Sequence, residues 1–300
     1  MISEQKKVIG TSIYNNYHEV LIPSGKTKIV LSIYETNRDS PCIIFLPGTM
    51  THPLFYDEFL SLLSTNGFNV IGIHFISHGK SPREIRDFAI HDMIQNVEDT
   101  ITFTLNNFHQ KPVIMGSSQG GILSLLVAGI DHRIHSVFAH NVLLTSIKDS
   151  IRITRFPAWF QKADNFFRLL LKGGSRLMPA LPVPGNFYLD LNRVFCDEKL
   201  KKQFLSDPLG RISYPLRFIT SLITVDTSCI TDGSIRCPVI VIASKRDPLF
   251  PFDYCLKVYN RITAPHKEML LFDEPNHLLF NECIGKVSLP IIEKLKEFTE

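Results

Sequence analysis

The 300-residue chain has little excess charge of either sign and no long apolar run. It contains 32 Lys and Arg and 29 Asp and Glu, and the net charge of +3 at pH 7 is too small to indicate nucleic-acid binding. No apolar stretch approaches the roughly 18 residues of a membrane span, and the opening MISEQKKVIG lacks the apolar segment of a secretion signal. We therefore expect a cytoplasmic protein that binds no nucleic acid.

Cysteines are few and widely spaced. The six are Cys42, Cys196, Cys229, Cys237, Cys255 and Cys283. No two of them have the Cys-x-x-Cys spacing of metal or redox sites, so we expect buried thiols. His74 and His78 in HFISH are four apart, but this spacing binds a metal on a helix, and these residues follow an apolar strand. The sequence therefore predicts no metal site.

Strands and helices alternate along most of the chain, in which 44% of the residues are hydrophobic. A hairpin around PSGK precedes the strands CIIFLPG and FNVIGIHF, and CPVIVIAS and EMLLF follow near the end. Helical patterns separate these strands, and an amphipathic helix, VSLPIIEKLKEF, closes the chain. This order predicts an α/β fold whose mostly parallel sheet is covered by helices on both faces. Reactive groups in such sheets lie at the carboxyl ends of the strands.

Residues 146–234 interrupt the alternation. This segment is rich in helix formers, aromatic residues and prolines, and it carries 13 Lys and Arg against 8 Asp and Glu. We predict a helical cap at 146–234, inserted into an α/β core formed by 1–145 and 235–300. Its first part combines apolar and basic residues: Trp159, Phe160, Phe166, Phe167 and Leu170 beside Arg155, Lys162, Arg168 and Lys172. Such a stripe can rest on a membrane surface, although it more often packs against its own domain.

The segment KPVIMGSSQGG fits the pattern Gly-x-Ser-x-Gly around Ser118. A short β-branched run precedes the motif, and an apolar helical stretch follows it. A nucleophilic serine needs this context, because small neighbours allow the sharp turn that exposes its hydroxyl. The alternative is a glycine-rich strand-to-helix turn with no chemical role.

Two further residues match a serine nucleophile. Asp247 follows the strand VIVIAS, and His277 follows the strand MLLF. A serine hydroxyl becomes nucleophilic when a histidine accepts its proton, and a carboxylate orients that histidine. Taken singly, Asp247 could cap the helix that begins near Pro248, and His277 could be an ordinary loop residue. The order serine, acid, histidine at three strand ends favours a triad.

Acyl transfer also needs hydrogen-bond donors for the developing oxyanion. The backbone N–H of Gln119 follows the candidate nucleophile directly, and the backbone N–H of Thr49 lies in the loop LPGTM after the first parallel strand. We predict these two groups as the oxyanion hole.

From about Pro41 to Phe298 the chain resembles the α/β-hydrolases, in particular the branch of monoacylglycerol lipases and lysophospholipases that is grouped with serine aminopeptidase-like hydrolases. The similarity lies in FLPGTMTHPLFYDEFL, SHGKSP, VIMGSSQGG, DPLGR, VIVIASKRDPLFP and FDEPNH. It implies Ser118 as nucleophile, Asp247 as acid, His277 as base, Thr49 and Gln119 as oxyanion donors, and neither a metal nor an organic cofactor.

The chain departs from the family pattern at two places. The oxyanion loop has Pro47-Gly48 where the family usually has His-Gly, so the support of this loop must differ. The strand before SHGKSP usually ends in an Asp and an Arg, and here His74 and residues 76–77 occupy that region. Both departures bear on substrate preference, since neither removes a triad group.

The expected function is hydrolysis of a carboxylic ester with an apolar acyl chain, such as a monoglyceride or a lysophospholipid. A thioesterase or an aminopeptidase with the same triad remains an alternative, as does a ligand-binding protein of this fold without turnover. The expected partner is a small-molecule ester, with peripheral membrane contact through the cap as a further expectation. The sequence leaves the oligomeric state open.

Overall fold

The computed structural model describes residue 14, residues 16–157, residue 159 and residues 164–299. Eight strands form a central sheet. They are β1 (Tyr17–Ser24), β2 (Thr27–Tyr34), β3 (Cys42–Leu46), β4 (Asn69–His74), β5 (Val113–Ser117), β6 (Ser136–His140), β9 (Val239–Ser244) and β10 (Lys267–Phe272). The order across the sheet is β1-β2-β4-β3-β5-β6-β9-β10. Strand β2 runs antiparallel to both neighbours, and the pairs from β4 to β10 are parallel.

Helices connect the parallel strands. Those of the core are α1 (Asp57–Thr65), α2 (Ile90–Asn107), α3 (Gln119–Ala128), α9 (Phe252–Arg261), α10 (Leu279–Glu282) and α11 (Ile284–Thr299). Between β6 and β9 lie α4 (Asp164–Leu177), α5 (Leu191–Val194), α6 (Glu198–Ser206), α7 (Leu216–Thr224), α8 (Ser228–Thr231) and a two-stranded ribbon of β7 (Pro182–Pro184) and β8 (Ser213–Pro215).

The central strands are buried on both faces, which explains their continuous apolar runs. Every residue of β3 is buried, and alternate side chains enter different cores. Ile44 and Leu46 pack with the core that includes α2 and α3, whereas Ile43 and Phe45 pack with the core that includes α1 and α11. Helix α3 is buried at all ten positions, so its sequence shows apolar residues all round.

The order in which successive strands are added to the sheet changes direction at β3. Strand β4 lies on one side of β3 and β5 on the other, so the loops that leave β3 and β5 diverge at the carboxyl edge. The crevice at such a reversal is the usual ligand site of an open parallel sheet.

The insertion, which we define as residues 146–234, carries the apolar and basic stripe, and the structure describes this stripe only in part. Phe160 and Lys162 lie outside the described residues. On α4, Phe166 and Leu170 are 59% and 53% exposed, whereas the guanidinium of Arg168 donates to the carbonyl oxygen of Thr145 at 2.9 Å. Arg168 therefore anchors α4 to the core and does not belong to the exposed face. In the described part of the chain, no helix combines the length and apolar composition needed to cross a membrane.

Candidate active site

Ser118 occupies the turn between β5 and α3. Its backbone has a positive φ of 54° with a ψ of −108°, a conformation that costs a non-glycine residue roughly 1–3 kcal/mol. The turn is held by a hydrogen bond from the Ser118 N–H to the carbonyl oxygen of His140, 2.9 Å long, on the neighbouring strand β6. The geometry places the serine side chain at the carboxyl edge of the sheet and at the beginning of a buried helix.

Two glycines of the motif are required by close backbone contacts. A Cβ on Gly116 would lie 2.0 Å from the carbonyl oxygen of Gly120, and a Cβ on Gly120 would lie 2.0 Å from the carbonyl oxygen of Leu46. Each distance is far inside van der Waals contact, so no side chain fits at either position. The spacing Gly-x-Ser-x-Gly therefore reflects the packing of α3 against β3 and β5.

Asp247 and His277 meet at the ends of β9 and β10. Nδ1 of His277 lies 2.9 Å from Oδ2 of Asp247, and both side chains are almost fully buried. An ionised carboxylate only accepts hydrogen bonds, so Nδ1 of His277 carries a proton and donates it to Asp247. The ring of Phe250 stacks on the imidazole, with centroids 5.3 Å apart and an interplanar angle of 8°.

The Asp247 carboxylate is surrounded by donors. Its Oδ1 accepts the backbone N–H groups of Leu249 at 2.7 Å and Phe250 at 2.8 Å. Burial alone would raise the pKa of Asp247, but the charge and hydrogen bond of His277 and the Phe250 N–H outweigh it, so the pKa lies below its usual value. Asp247 is therefore an anion at neutral pH.

Asn141 also binds this carboxylate, and the sequence pattern did not reveal it. Its Nδ2 donates to Oδ2 of Asp247 at 2.6 Å and lies 3.1 Å from Nδ1 of His277. The residue directly follows β6 and has a left-handed backbone with φ 52°. Asparagine tolerates this conformation better than most residues, and this is the only local signal of a special position.

The loop that follows β3, residues 47–52, lies against the serine turn; we call it the β3 loop. A Cβ on Gly48 would lie 3.6 Å from Cβ of Ser118, and the Thr49 hydroxyl donates to Oε1 of Gln119 at 3.2 Å. The two residues predicted to supply oxyanion donors are therefore adjacent. The Gly48 N–H donates to the hydroxyl of Tyr56 at 3.3 Å. This hydrogen bond supports the loop, which has Pro47 where the family usually has a histidine.

A pocket opens beside these residues. It is lined by Thr49, Ser118, Gln119 and Thr154, by Tyr188, and by the apolar side chains of Ile122, Leu143, Ile153, Leu189, Leu222, Leu249 and Phe250. The space between these residues, counted together with the open mouth, is about 440 Å³. Core and insertion both contribute to the wall.

The structure brings the predicted site residues together in two groups. Asp247 and His277 are hydrogen-bonded to each other, and Thr49 and Gln119 are hydrogen-bonded to each other beside Ser118. Among the described residues, no hydrogen bond joins Ser118 to His277. Phe250 connects the groups, because it lines the pocket of Ser118 and stacks on His277. Catalytic hydrogen bonds in ligand-free sites are often long and tighten when substrate binds.

Comparison with known proteins identifies the architecture. A family model described as serine aminopeptidase, S33, a hydrolase family, matches residues 38–284. No curated protein sequence matches the chain. The fold is similar to the crystal structure of the monoacylglycerol lipase of Paleococcus ferrophilus, with a TM-score of 0.73 and 20% sequence identity over 90% of this chain and 99% of that chain.

Two further solved structures have the same fold. A soluble variant of the monoglyceride lipase of Saccharomyces cerevisiae, in complex with a substrate analogue, has a TM-score of 0.76 and 15% identity over 97% of this chain and 98% of that chain. A thermostable carboxyl esterase of Bacillus coagulans, in complex with glycerol, has a TM-score of 0.70 and 15% identity over 95% and 99% of the two chains. These similarities confirm the predicted α/β-hydrolase fold class.

Proposed function

The chain belongs to the serine aminopeptidase S33 family of α/β-hydrolases, and from this membership together with the site geometry we infer that it cleaves carboxylic esters with an apolar acyl chain. The observation that carries the inference is the hydrogen-bonded pair of Asp247 and His277 at the same sheet edge as Ser118 in its strained turn. A buried acid–histidine pair at the same sheet edge as a half-buried turn serine supplies the groups that acyl transfer needs.

In the first half of the reaction, Oγ of Ser118 attacks the ester carbonyl carbon while Nε2 of His277 takes the hydroxyl proton. The backbone N–H groups of Thr49 and Gln119 donate to the carbonyl oxygen as it becomes negative. Asp247 remains ionised and stabilises the imidazolium. His277 then returns the proton to the alcohol oxygen, the carbon–oxygen bond breaks, and the acyl group stays on Ser118.

Water completes the cycle. Nε2 of His277 accepts a proton from a water molecule as its oxygen attacks the acyl carbon, and the collapse of this second tetrahedral intermediate returns the proton to Oγ of Ser118. The products are a carboxylic acid and the free enzyme. The reaction requires no redox step and uses water as its second substrate.

The pocket wall supports an apolar acyl group. Eight of its lining residues are aliphatic or aromatic, and Thr49, Ser118 and Gln119 are neighbours within it. Such a lining suits a substrate whose polar carbonyl faces the serine and whose hydrocarbon chain contacts the apolar side chains. Residues 146–234, which contribute Ile153, Leu189 and Leu222, act in this proposal as the cap that encloses the chain.

An aminopeptidase is the second activity that family membership suggests, and the described pocket disfavours it. The free amino group of a peptide substrate is cationic, and its recognition needs a carboxylate or a set of carbonyl acceptors. None of the described residues that line the pocket is acidic. A thioester shares the acyl chain and the carbonyl, so the pocket accommodates it equally well.

A matched substrate series tests the proposal. We expect p-nitrophenyl esters to be hydrolysed faster as the acyl chain lengthens from acetyl to octanoyl, and Ser118→Ala to abolish both hydrolysis and labelling by a fluorophosphonate. Best activity on acetyl esters would contradict the apolar acyl assignment. Preferential cleavage of aminoacyl amides would favour the aminopeptidase, and absence of labelling in the folded wild type would refute the enzyme.

We also propose that α4 makes peripheral contact with a lipid surface. Leu169 is 69% exposed and Phe166 59%, and exposed apolar side chains continue to Leu177 at the helix end. Lys172 and Arg176, which are also exposed, lie on the same helix, and the insertion as a whole has more Lys and Arg than Asp and Glu. An apolar face with cations at its edge matches the interface of an anionic membrane.

Vesicle sedimentation tests this contact. The wild type should bind vesicles of phosphatidylcholine with anionic phosphatidylglycerol, and the double variant Phe166→Ser, Leu169→Ser should bind several-fold less. Leu289→Ser is the matched control, because Leu289 is 63% exposed but lies on α11 of the core. Binding that does not respond to salt, or that is lost equally in the control, would contradict the proposal.

A further inference from the structure

The β3 loop contains a residue in an unfavourable conformation next to a proposed oxyanion donor. Met50 follows Thr49 directly and has φ 67°, in the left-handed region that favours glycine. The Thr51 N–H donates to the carbonyl oxygen of Gly48 at 3.2 Å, which closes a tight turn with Met50 at its third position. In a β-turn with positive φ at the third position, the central peptide is flipped relative to a type I turn, and glycine usually occupies that third position. Another interaction must therefore hold the Thr49–Met50 peptide.

Both backbone groups of Met50 are bound by the insertion. The Met50 N–H donates to the hydroxyl of Tyr214 at 2.7 Å, and the Arg211 N–H donates to the carbonyl oxygen of Met50 at 3.1 Å. The side chain of Met50 lies against Gly185, where an added Cβ would be 2.3 Å from the sulfur. The insertion thus holds Met50 by its donor, its acceptor and its side chain.

His78 determines the direction of these hydrogen bonds. Its Nδ1 lies 2.7 Å from the carbonyl oxygen of Ile76, which only accepts, so Nδ1 carries a proton. Burial lowers the pKa of His78 to about 3, so the ring is neutral and Nε2 is an acceptor. Nε2 lies 3.1 Å from the Tyr214 hydroxyl, which must therefore donate to it and is left to accept the Met50 N–H. The donors and acceptors among His78, the Tyr214 hydroxyl and the Met50 N–H are therefore all determined.

We propose that Tyr214, oriented by His78, is a positioning residue for ester cleavage: it holds the Thr49–Met50 peptide and so fixes the adjoining Gly48–Thr49 peptide, whose Thr49 N–H points to the substrate oxygen. The inference rests on the proposed function and adds the means by which the insertion controls the oxyanion hole. The insertion thereby completes the oxyanion hole in addition to enclosing the acyl chain. Tyr214 is fully buried and is not among the residues that line the pocket, so its effect passes through the β3 loop.

The decisive variant is Tyr214→Phe, which removes one hydroxyl and keeps the ring. A misplaced catalytic group costs up to about a hundred-fold in rate, so we expect kcat to fall roughly ten- to hundred-fold with KM changed by less than about two-fold. Tyr254→Phe is the matched control, since Tyr254 is equally buried and its hydroxyl accepts a backbone N–H from Leu144 at 2.9 Å. Tyr254→Phe should lose about as much thermal stability as Tyr214→Phe but retain the wild-type kcat within about two-fold.

Hydrogen–deuterium exchange gives a readout that needs no turnover. Exchange of the peptide that covers residues 46–52 should be faster in Tyr214→Phe than in the wild type and unchanged in Tyr254→Phe. If the wild type hydrolyses no ester, the proposed function fails, and the exchange data still decide whether Tyr214 holds the loop. Unchanged exchange, unchanged kcat, or an equal loss of kcat in both variants would overturn the proposal.

A second pair of variants covers the case in which Tyr214→Phe does not fold. The amide oxygen of His78→Gln can accept the Tyr214 hydroxyl as Nε2 does, whereas His78→Leu removes the acceptor. We expect His78→Gln to retain several-fold more kcat than His78→Leu at similar thermal stability. Equal activity of the two would contradict a role for the acceptor.

Discussion

Replacement of Asn141 by glycine should weaken both the fold and the reaction, because it removes a donor from a buried carboxylate. Nδ2 of Asn141 lies 2.6 Å from Oδ2 of Asp247, and only 5% of Asp247 is exposed. Glycine adopts the left-handed backbone of position 141 without strain, so the variant loses the amide and keeps the turn. The other donors to Asp247 remain in place.

The magnitude follows from the charge of the acceptor. A hydrogen bond to a charged group contributes roughly 1.5–3 kcal/mol, and solvent does not replace it at a buried site. We expect the unfolding free energy at pH 7 to fall by about this amount. If the same interaction holds His277 in the transition state, kcat/KM should fall about 10- to 100-fold.

The pH dependence has a definite sign. The folded pKa of Asp247 lies below its usual 3.8, so its interactions stabilise the fold above that pH and are lost as the pH falls through the folded pKa. Removal of the Asn141 amide raises the folded pKa toward the unfolded value. The difference in stability between wild type and variant should therefore be constant above about pH 5 and shrink below about pH 4.

Urea unfolding of the wild type, Asn141→Gly and Asn141→Ala at pH 7 and at pH 3.5 measures these quantities. Alanine removes the same amide but strains the left-handed backbone. The additional loss of unfolding free energy in Asn141→Ala therefore measures the cost of that strain. An equal difference at both pH values would show that the loss comes from packing and not from the carboxylate. No difference at pH 7 would refute the role of the amide.

Two further predictions concern the β3 loop and the helix behind the serine. Thr49→Pro deletes the proposed oxyanion N–H and should lower kcat by about 10²–10³, whereas Thr49→Ala keeps this N–H and should stay within about ten-fold, as steady-state ester hydrolysis can measure. Gly120→Ala places a Cβ 2.0 Å from the carbonyl oxygen of Leu46, and we expect destabilisation by at least about 3 kcal/mol in chemical denaturation. A Gly120→Ala variant as stable as the wild type would contradict the close packing of α3 on β3.

The predictable parts of the fold are those in which burial leaves a local pattern. Strands β3, β5 and β9 are covered on both faces, so their apolar runs identify them without knowledge of their neighbours. The spacing around Ser118 was recognisable for a similar reason, because Gly116 and Gly120 are required by backbone contacts inside one short segment.

The unpredicted parts depend on contacts between distant segments. Asn141 meets His277 across 136 residues, and Met50 meets Tyr214 across 164 residues. Only the sheet order, which places β6 beside β9, brings Asn141 to Asp247. The support of the Pro47-Gly48 loop by Tyr56 and Tyr214 likewise follows from tertiary packing and has no local pattern.

The reversal of strand order beside β3 also bears on how the protein acquires activity as it folds. The serine turn can form once β3, β5 and β6 pair, but the proposed acid and base follow β9 and β10, which come much later in the sequence. Contacts of such long sequence separation form late, because the loop-closure entropy must be overcome first. Under the proposed function, a chain emerging from the ribosome would therefore carry Ser118 without a base, and its hydroxyl would stay unreactive toward esters until β9 and β10 join the sheet.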